Sequence, residues 1–219
     1  MTDKFPKALV FDFDGVILDT ESAIIDSYHE VYLAHGAPFD RDRQLHAAGS
    51  EFEFDPWHGV RADLHRSVLD EQHRACCETR IVQLSILPGI IALLRAATEN
   101  SLKVGLASNS NSTYVEGHLS RLGLRHYFHF LSCRETVAFP KPAPDLYINV
   151  LRHFEIAGSE GVAIEDSQTG TMAAKRAGLR VIAVSNPCTA AHDFAAADLL
   201  LSTLANETLP GLIERLGIS

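Results

Sequence analysis

The chain has 219 residues, of which 46% are hydrophobic and 21% are charged, a balance typical of a folded globular protein and not of a disordered one. Its formal net charge of −9, without Lys/Arg-rich runs, argues against a surface for nucleic acid or anionic membranes. No apolar run approaches the roughly 20 residues of a membrane span, and the N-terminal segment MTDKFPK runs into a strand pattern and not into a signal-peptide core. We therefore expect a cytoplasmic protein.

The first predicted strand, Ala8 to Phe13, ends in two aspartates, Asp12 and Asp14, that are separated by one residue. Side chains alternate in direction along a strand, so both carboxylates would point the same way if the strand continued through them. Two carboxylates held that close repel each other, and a cation between them or a proton on one of them relieves the repulsion. The pair therefore predicts a cation site, a proton-transfer site, or both.

A helical segment follows this strand. Residues 20–35 have the spacing of one amphipathic helix, and residues 60–82 have that of one or two more, whereas no convincing strand occurs between them. We predict a helical insert over residues 19–87 and a core domain that comprises residues 1–18 and 88–219. Because the insert leaves the sheet just after Asp14, we expect it to lie over the carboxylate pair.

From residue 88 onward, short apolar runs alternate with longer amphipathic ones. The predicted strands are Leu102–Ala107, Phe128–Ser132, Gly161–Glu165 and Arg180–Val184. The helical patterns between them, at residues 113–123, 144–158 and 169–178, each end at a glycine, the residue that most easily closes a helix. This alternation predicts an α/β fold, a Rossmann-like parallel sheet flanked by helices, with the helical insert as a cap.

Polar side chains follow four successive predicted strands. Asp12 and Asp14 follow the first, Ser108 and Asn109 the second, Lys141 the third, and the pair Glu165–Asp166 the fourth. Ligands of parallel α/β sheets bind beyond the carboxyl ends of the strands, so we expect these groups to meet there. Each of them alone has an ordinary structural explanation, as a turn, a helix cap or an exposed loop residue. Their order along the chain instead favours a site for a phosphate group and a hard cation.

The four segments DFDGVILDTES, SNS, KPAPD and EDSQTG together resemble the ordered motifs of the haloacid dehalogenase-like hydrolases, in the subgroup with a helical cap after the first motif. The resemblance covers essentially the whole chain and is greatest to the branch of β-phosphoglucomutase-like proteins and small-molecule phosphatases. The dehalogenases themselves lack the second aspartate, so Asp14 indicates phosphoryl transfer.

The resemblance implies a role for each motif residue. Asp12 would be the nucleophile and a ligand of Mg²⁺, and Asp14 the general acid and base, with its main-chain carbonyl also on the metal. Asp166 would complete the metal site directly, and Glu165 would join it directly or through water. The phosphoryl oxygens would be held by Ser108 and Asn109, and their charge would be balanced by Lys141. The expected partner is a small phosphorylated metabolite, such as a sugar phosphate, and the oligomeric state stays open.

The cap sequence bears on the choice between a phosphatase and a phosphomutase. The β-phosphoglucomutases carry a histidine twelve residues after the nucleophile, a position that Ile24 occupies here, and they have basic residues in the segment where residues 46–57 of this chain contain no arginine or lysine. Both departures favour a phosphatase over the mutase, and a non-catalytic phosphometabolite-binding protein is the third alternative. The insert is acidic, and a narrower hypothesis is that Glu51 or Glu53 recognises the leaving group.

Overall fold

The computed structural model describes residues 5–47, 55–60 and 63–218 of the chain, which divides into two compact units. One unit consists of Met1–Leu18 and Ser85–Ser219, and the other of Asp19–Leu84. The predicted domains, of residues 1–18 with 88–219 and of residues 19–87, stay expectations. That the smaller unit acts as a cap stays a prediction.

The larger unit is built on one parallel sheet of six strands in the order β3-β2-β1-β4-β5-β6. The strands are β1 (Ala8–Phe11), β2 (Lys103–Ala107), β3 (Phe130–Ser132), β4 (Gly161–Glu165), β5 (Arg180–Val184) and β6 (Leu199–Leu201). All residues of β1 and β4 are buried, as expected for central strands covered by helices on both faces. The predicted Rossmann-like α/β fold is confirmed.

Helices connect the strands and complete the core of this unit. They are α4 (Ile90–Glu99), α5 (Ser112–Arg121), α6 (Asp145–Phe154), α7 (Gln168–Arg176) and α8 (Leu209–Arg215). The α6 side chains Leu146 and Val150 pack with Ala163 of β4 and Val181 of β5 in one buried cluster. Of these elements, the sequence patterns did not predict α4, α8 or the short strand β6.

The first strand is shorter than predicted, because β1 ends at Phe11 and not at Phe13. Beyond it, the chain turns at Gly15, whose N–H donates to the carbonyl oxygen of Leu18 at 2.8 Å. Asp12 and Asp14 therefore do not share the face of a continuous strand, and the turn determines the position of Asp14.

The smaller unit contains the helices α1 (Thr20–Ala34), α2 (Arg41–Ala47) and α3 (Arg66–Ile81). Its core comprises Val31, Tyr32, Trp57, Val60 and Leu69. No strand occurs among the residues of this unit that the structure describes, as predicted. Glu51 and Glu53, which we hypothesised to recognise the leaving group, lie outside the described residues. Over the described ranges, no helix combines the length and the apolar character that crossing a bilayer requires.

Candidate active site

Asp12 lies directly beyond β1, at the middle of the sheet. Its N–H donates to the carbonyl oxygen of Ile164 at 2.9 Å, so the pairing of β1 with β4 extends to this residue. Asp12 is only 8% exposed, and its Oδ1 accepts hydrogen bonds from the Phe13 N–H at 2.7 Å and from Lys141 Nζ at 2.8 Å. Burial, reinforced by the nearby charge of Glu165, raises the pKa of the Asp12 carboxyl to about 8.

Lys141 lies between two carboxylates. Its Nζ is 2.8 Å from Asp12 Oδ1 and 2.6 Å from Glu165 Oε1, and its side chain is 3% exposed. Burial alone would lower the pKa of this ammonium, but the two carboxylates outweigh burial and raise it, so the lysine is charged. The Asn109 side chain holds the lysine backbone, because its Oδ1 accepts from the Lys141 N–H at 2.9 Å and its Nδ2 donates to the Lys141 carbonyl at 3.3 Å.

Three buried carboxylates converge at this position. One oxygen each of Asp12, Glu165 and Asp166 lies within 4.8 Å of the others. When all three are ionised, the single ammonium of Lys141 leaves an excess of negative charge, which is costly to bury without a further cation. An all-oxygen set of carboxylates is also what a hard divalent cation prefers. The cluster is therefore suited to bind a metal ion.

Asp14 is oriented by the segment after β2. Its Oδ2 accepts a hydrogen bond from Ser110 Oγ at 2.6 Å, and Ser110 N–H in turn donates to Ser108 Oγ at 3.0 Å. The Asp14 carboxylate is not one of the three that converge around Lys141. The segment after β2 therefore orients the second aspartate of the first motif.

The segment of Ser108 and Asn109 leads into the start of α5. Ser108 is fully buried just beyond β2, and Asn111 caps the helix by accepting from the Tyr114 N–H at 2.9 Å. The amide of Asn109 is engaged with the backbone of Lys141, so the group that Asn109 can offer to a phosphate is its main-chain N–H. The side chain of Asn109 instead links the second and third predicted motifs.

Asn186, which the sequence analysis did not single out, anchors the last carboxylate. It lies beyond β5, and its Nδ2 donates to Asp166 Oδ2 at 2.8 Å while its own Oδ1 accepts from the N–H groups of Cys188 and Thr189. Gly15 makes room for Asp166, since a Cβ at this position, where φ is +73°, would lie 1.9 Å from Asp166 Oδ2. An asparagine in the segment SNPCT is typical of a turn, so the sequence alone does not indicate that Asp166 is its partner.

Gly170 makes comparable room for Glu165. It lies in α7, and a Cβ there would lie 2.0 Å from Glu165 Oε1 and 2.1 Å from Oε2. A Gly-to-Ala change inside a helix ordinarily stabilises by about 0.5–1 kcal/mol. We expect Gly170→Ala to have the opposite sign, with a loss of about 1–3 kcal/mol from overpacking a rigid site, because both Glu165 oxygens are held in place.

Chemical denaturation measures this effect, and Gly117→Ala is the matched control. Gly117 is also helical, in α5, but nothing lies within 4 Å of a Cβ built on it. We expect the control to be neutral or stabilising. Equal stabilisation by both substitutions would show that the Glu165 carboxylate is not held as the structure has it.

The comparisons with known proteins agree with this geometry. The sequence model of the family described as haloacid dehalogenase-like hydrolase matches residues 9–184. The chain is 33% identical to "Putative phosphatase YhcW" of Bacillus subtilis (strain 168), over 96% of this chain and 97% of that protein. It is 29% identical to the fructose-1-phosphate phosphatase YqaB of Escherichia coli (strain K12), over 80% and 95% of the two chains. It is 28% identical to the β-phosphoglucomutase of B. subtilis (strain 168), over 95% and 94%.

A solved structure is similar over nearly the full length. CbbY from Rhodobacter sphaeroides in complex with phosphate superimposes with a TM-score of 0.73 and 28% identity, covering 95% of this chain and 99% of that one. The chain therefore belongs to the haloacid dehalogenase-like hydrolases, and its relatives include phosphatases and a β-phosphoglucomutase. The resemblance drawn from the four motifs is confirmed.

Proposed function

We propose that this protein is a Mg²⁺-dependent phosphatase that hydrolyses a small phosphorylated metabolite through an aspartyl-phosphate intermediate on Asp12. The observation that carries the proposal is the position of the Asp12 carboxylate. It is buried, it contacts the Lys141 ammonium at 2.8 Å, and it lies in one cluster with Glu165 and Asp166. A nucleophile placed beside positive charge at a carboxylate cluster suits attack on an anionic phosphate ester.

The metal ion would be held by Asp12, by Asp166 and by the main-chain carbonyl of Asp14, with Glu165 taking part directly or through water. When bound, Mg²⁺ would screen the repulsion between the phosphate ester and the carboxylate nucleophile. Asn186 donates to one oxygen of Asp166 at 2.8 Å, and this hydrogen bond would fix the orientation of a carboxylate that binds the metal.

The residues of the chain then divide the reaction into two transfers. An oxygen of Asp12 attacks the phosphorus atom, and the bond to the leaving oxygen breaks as that oxygen takes a proton from Asp14. Water next attacks the phosphorus of the aspartyl phosphate and gives a proton to Asp14, which releases inorganic phosphate and restores Asp12. The phosphoryl oxygens are held by Ser108 Oγ and the Asn109 N–H, and Lys141 offsets their negative charge.

A sugar phosphate is the substrate class that the relatives favour, since one of them is named as a phosphatase of fructose 1-phosphate. A phosphomutase is the second candidate, because the β-phosphoglucomutase of B. subtilis is also similar over nearly the whole chain. Against the mutase stands Ile24, which is 36% exposed on α1 and has no group that can donate, accept or exchange a proton. A non-catalytic binding protein is disfavoured because every motif position carries a residue competent for its step.

Release of inorganic phosphate from a panel of phosphomonoesters tests the proposed function. With Mg²⁺ present we expect turnover of at least one sugar phosphate. EDTA should reduce release to background, and an excess of Mg²⁺ should restore it, because the carboxylate cluster depends on a cation to act on an anionic ester.

Two other outcomes would contradict the phosphatase. Interconversion of sugar phosphate isomers with a bisphosphate primer, without net phosphate release, would establish the mutase. Tight binding of a phosphorylated compound without turnover would favour the binding protein.

A further inference from the structure

Tyr147 contacts the buried Lys141 and one of its two carboxylate partners, Glu165. It lies on α6 and is fully buried, and its phenolic O–H donates to Glu165 Oε1 at 2.5 Å. The same oxygen accepts from Lys141 Nζ at 2.6 Å. The lysine Nζ also lies 5.3 Å from the centroid of the Tyr147 ring, within the range of a cation–π contact. Tyr147 therefore holds the glutamate by a hydrogen bond and the ammonium by its ring.

The remaining contacts of Glu165 fix its carboxylate completely. Its Oε2 accepts from the Asp166 N–H at 3.1 Å and from Ser167 Oγ at 3.2 Å. Both carboxylate oxygens thus accept from donors of the chain, and this side chain is fully buried. A carboxylate held in this way serves better as an anchor for Lys141 than as a direct ligand of the metal.

We propose that Tyr147 is a positioning residue, which holds Glu165 so that the Lys141 ammonium stays on Asp12. The proposal rests on the proposed function, in which Lys141 balances charge on the phosphoryl group. Without the phenolic O–H, Glu165 Oε1 keeps Lys141 as its single described donor. The ammonium is then drawn toward the glutamate and away from Asp12. In the unsubstituted protein, Lys141 Nζ lies 2.8 Å from Asp12 Oδ1.

Tyr147→Phe isolates the hydrogen bond, because phenylalanine keeps the ring and nearly the volume. We expect kcat to fall about tenfold, the scale of one lost hydrogen bond to a charged group. We expect KM for the ester and the dissociation constant of Mg²⁺, measured by calorimetry without substrate, to stay within about twofold. The matched control is Tyr127→Phe, since the Tyr127 ring contacts that of His126 outside the site.

The same substitution in a Lys141→Met background shows whether Tyr147 acts through the lysine. If it does, Tyr147→Phe lowers kcat by less than about twofold there. An equal loss in both backgrounds, an unchanged kcat in Tyr147→Phe, or a weakened affinity for Mg²⁺ would each overturn the proposal.

Urea unfolding separates this proposal from the proposed function. It is measured for the unsubstituted protein, Tyr147→Phe, Lys141→Met and the double variant. If the unsubstituted protein turns over no ester, the proposed function fails, and the unfolding cycle still tests the contact. Non-additive effects of Tyr147→Phe and Lys141→Met on stability would then support the shared anchor, and additive effects would refute it.

Discussion

Replacing Asp12 with asparagine is expected to reduce phosphate release by a factor on the order of 10⁴ or more, because an amide oxygen cannot form the phosphorylated intermediate. The change removes one charge and alters almost no volume. Asn Oδ1 can still accept from the Phe13 N–H and from Lys141 Nζ, which contact Asp12 Oδ1 at 2.7 and 2.8 Å. The loss would therefore report on chemistry and not on misfolding. Steady-state kinetics on the best substrate of the panel measures it.

The free energy of unfolding of the Asp12→Asn variant provides an internal control. In the metal-free protein, burial raises the pKa of Asp12 to about 8 from its usual value of 3.8, so folding favours the uncharged carboxyl and stability falls as pH rises between these values. An uncharged asparagine avoids that cost, so the free energy of unfolding at neutral pH should not fall. Asp193→Asn is the matched variant, because Asp193 is exposed and accepts from the Ala195 N–H outside the carboxylate cluster. Full activity of the Asp12 variant would rule out Asp12 as nucleophile.

Replacing Lys141 with methionine is expected to have the second largest effect. It leaves Asp12 and Glu165 buried without the ammonium that contacts them at 2.8 and 2.6 Å. We expect kcat to fall by a factor on the order of 10² to 10³, as when a group that stabilises transition-state charge is removed. Breaking a buried ion pair also costs about 3–5 kcal/mol of stability, which urea denaturation of the metal-free protein would show.

Lys175→Met is the control for this substitution. Lys175 pairs with Asp198 at 2.7 Å, but its side chain is 33% exposed and lies on α7 outside the carboxylate cluster. A pair so close to solvent contributes about 1 kcal/mol or less, and activity should not change. Equal kcat values for the unsubstituted protein and Lys141→Met would contradict the charge-balancing role of Lys141.

The sequence was sufficient to predict five of the six strands of the sheet and the polar side chains that follow them, because both depend on local patterns. The strands Gly161–Glu165 and Arg180–Val184 have the predicted bounds, since continuous apolar runs are the signature of buried parallel strands. The contacts of Asp12, Lys141 and Glu165 follow from one topological rule, that strand ends of a parallel sheet meet at one edge.

The residues that orient the motif side chains could not be predicted in the same way. Tyr147 lies among the apolar residues of α6 and follows their helical spacing, so its pattern is that of an ordinary core residue. Asn186 lies in a turn-forming segment. Their partners, Glu165 and Asp166, are 18 and 20 residues away along the chain and meet them only through tertiary packing. The strand β6, only three residues long, gives too short a pattern to distinguish from a loop.

Chemical trapping of the intermediate shows whether the phosphoryl group is transferred to Asp12. The enzyme would be mixed with its best substrate and Mg²⁺, quenched with borohydride, which reduces an acyl phosphate to an alcohol, and mapped by peptide mass spectrometry. We expect homoserine in place of Asp12, and only when substrate is present. Phosphate release with Asp12 unmodified, or with the reduction at Asp14 instead, would contradict it.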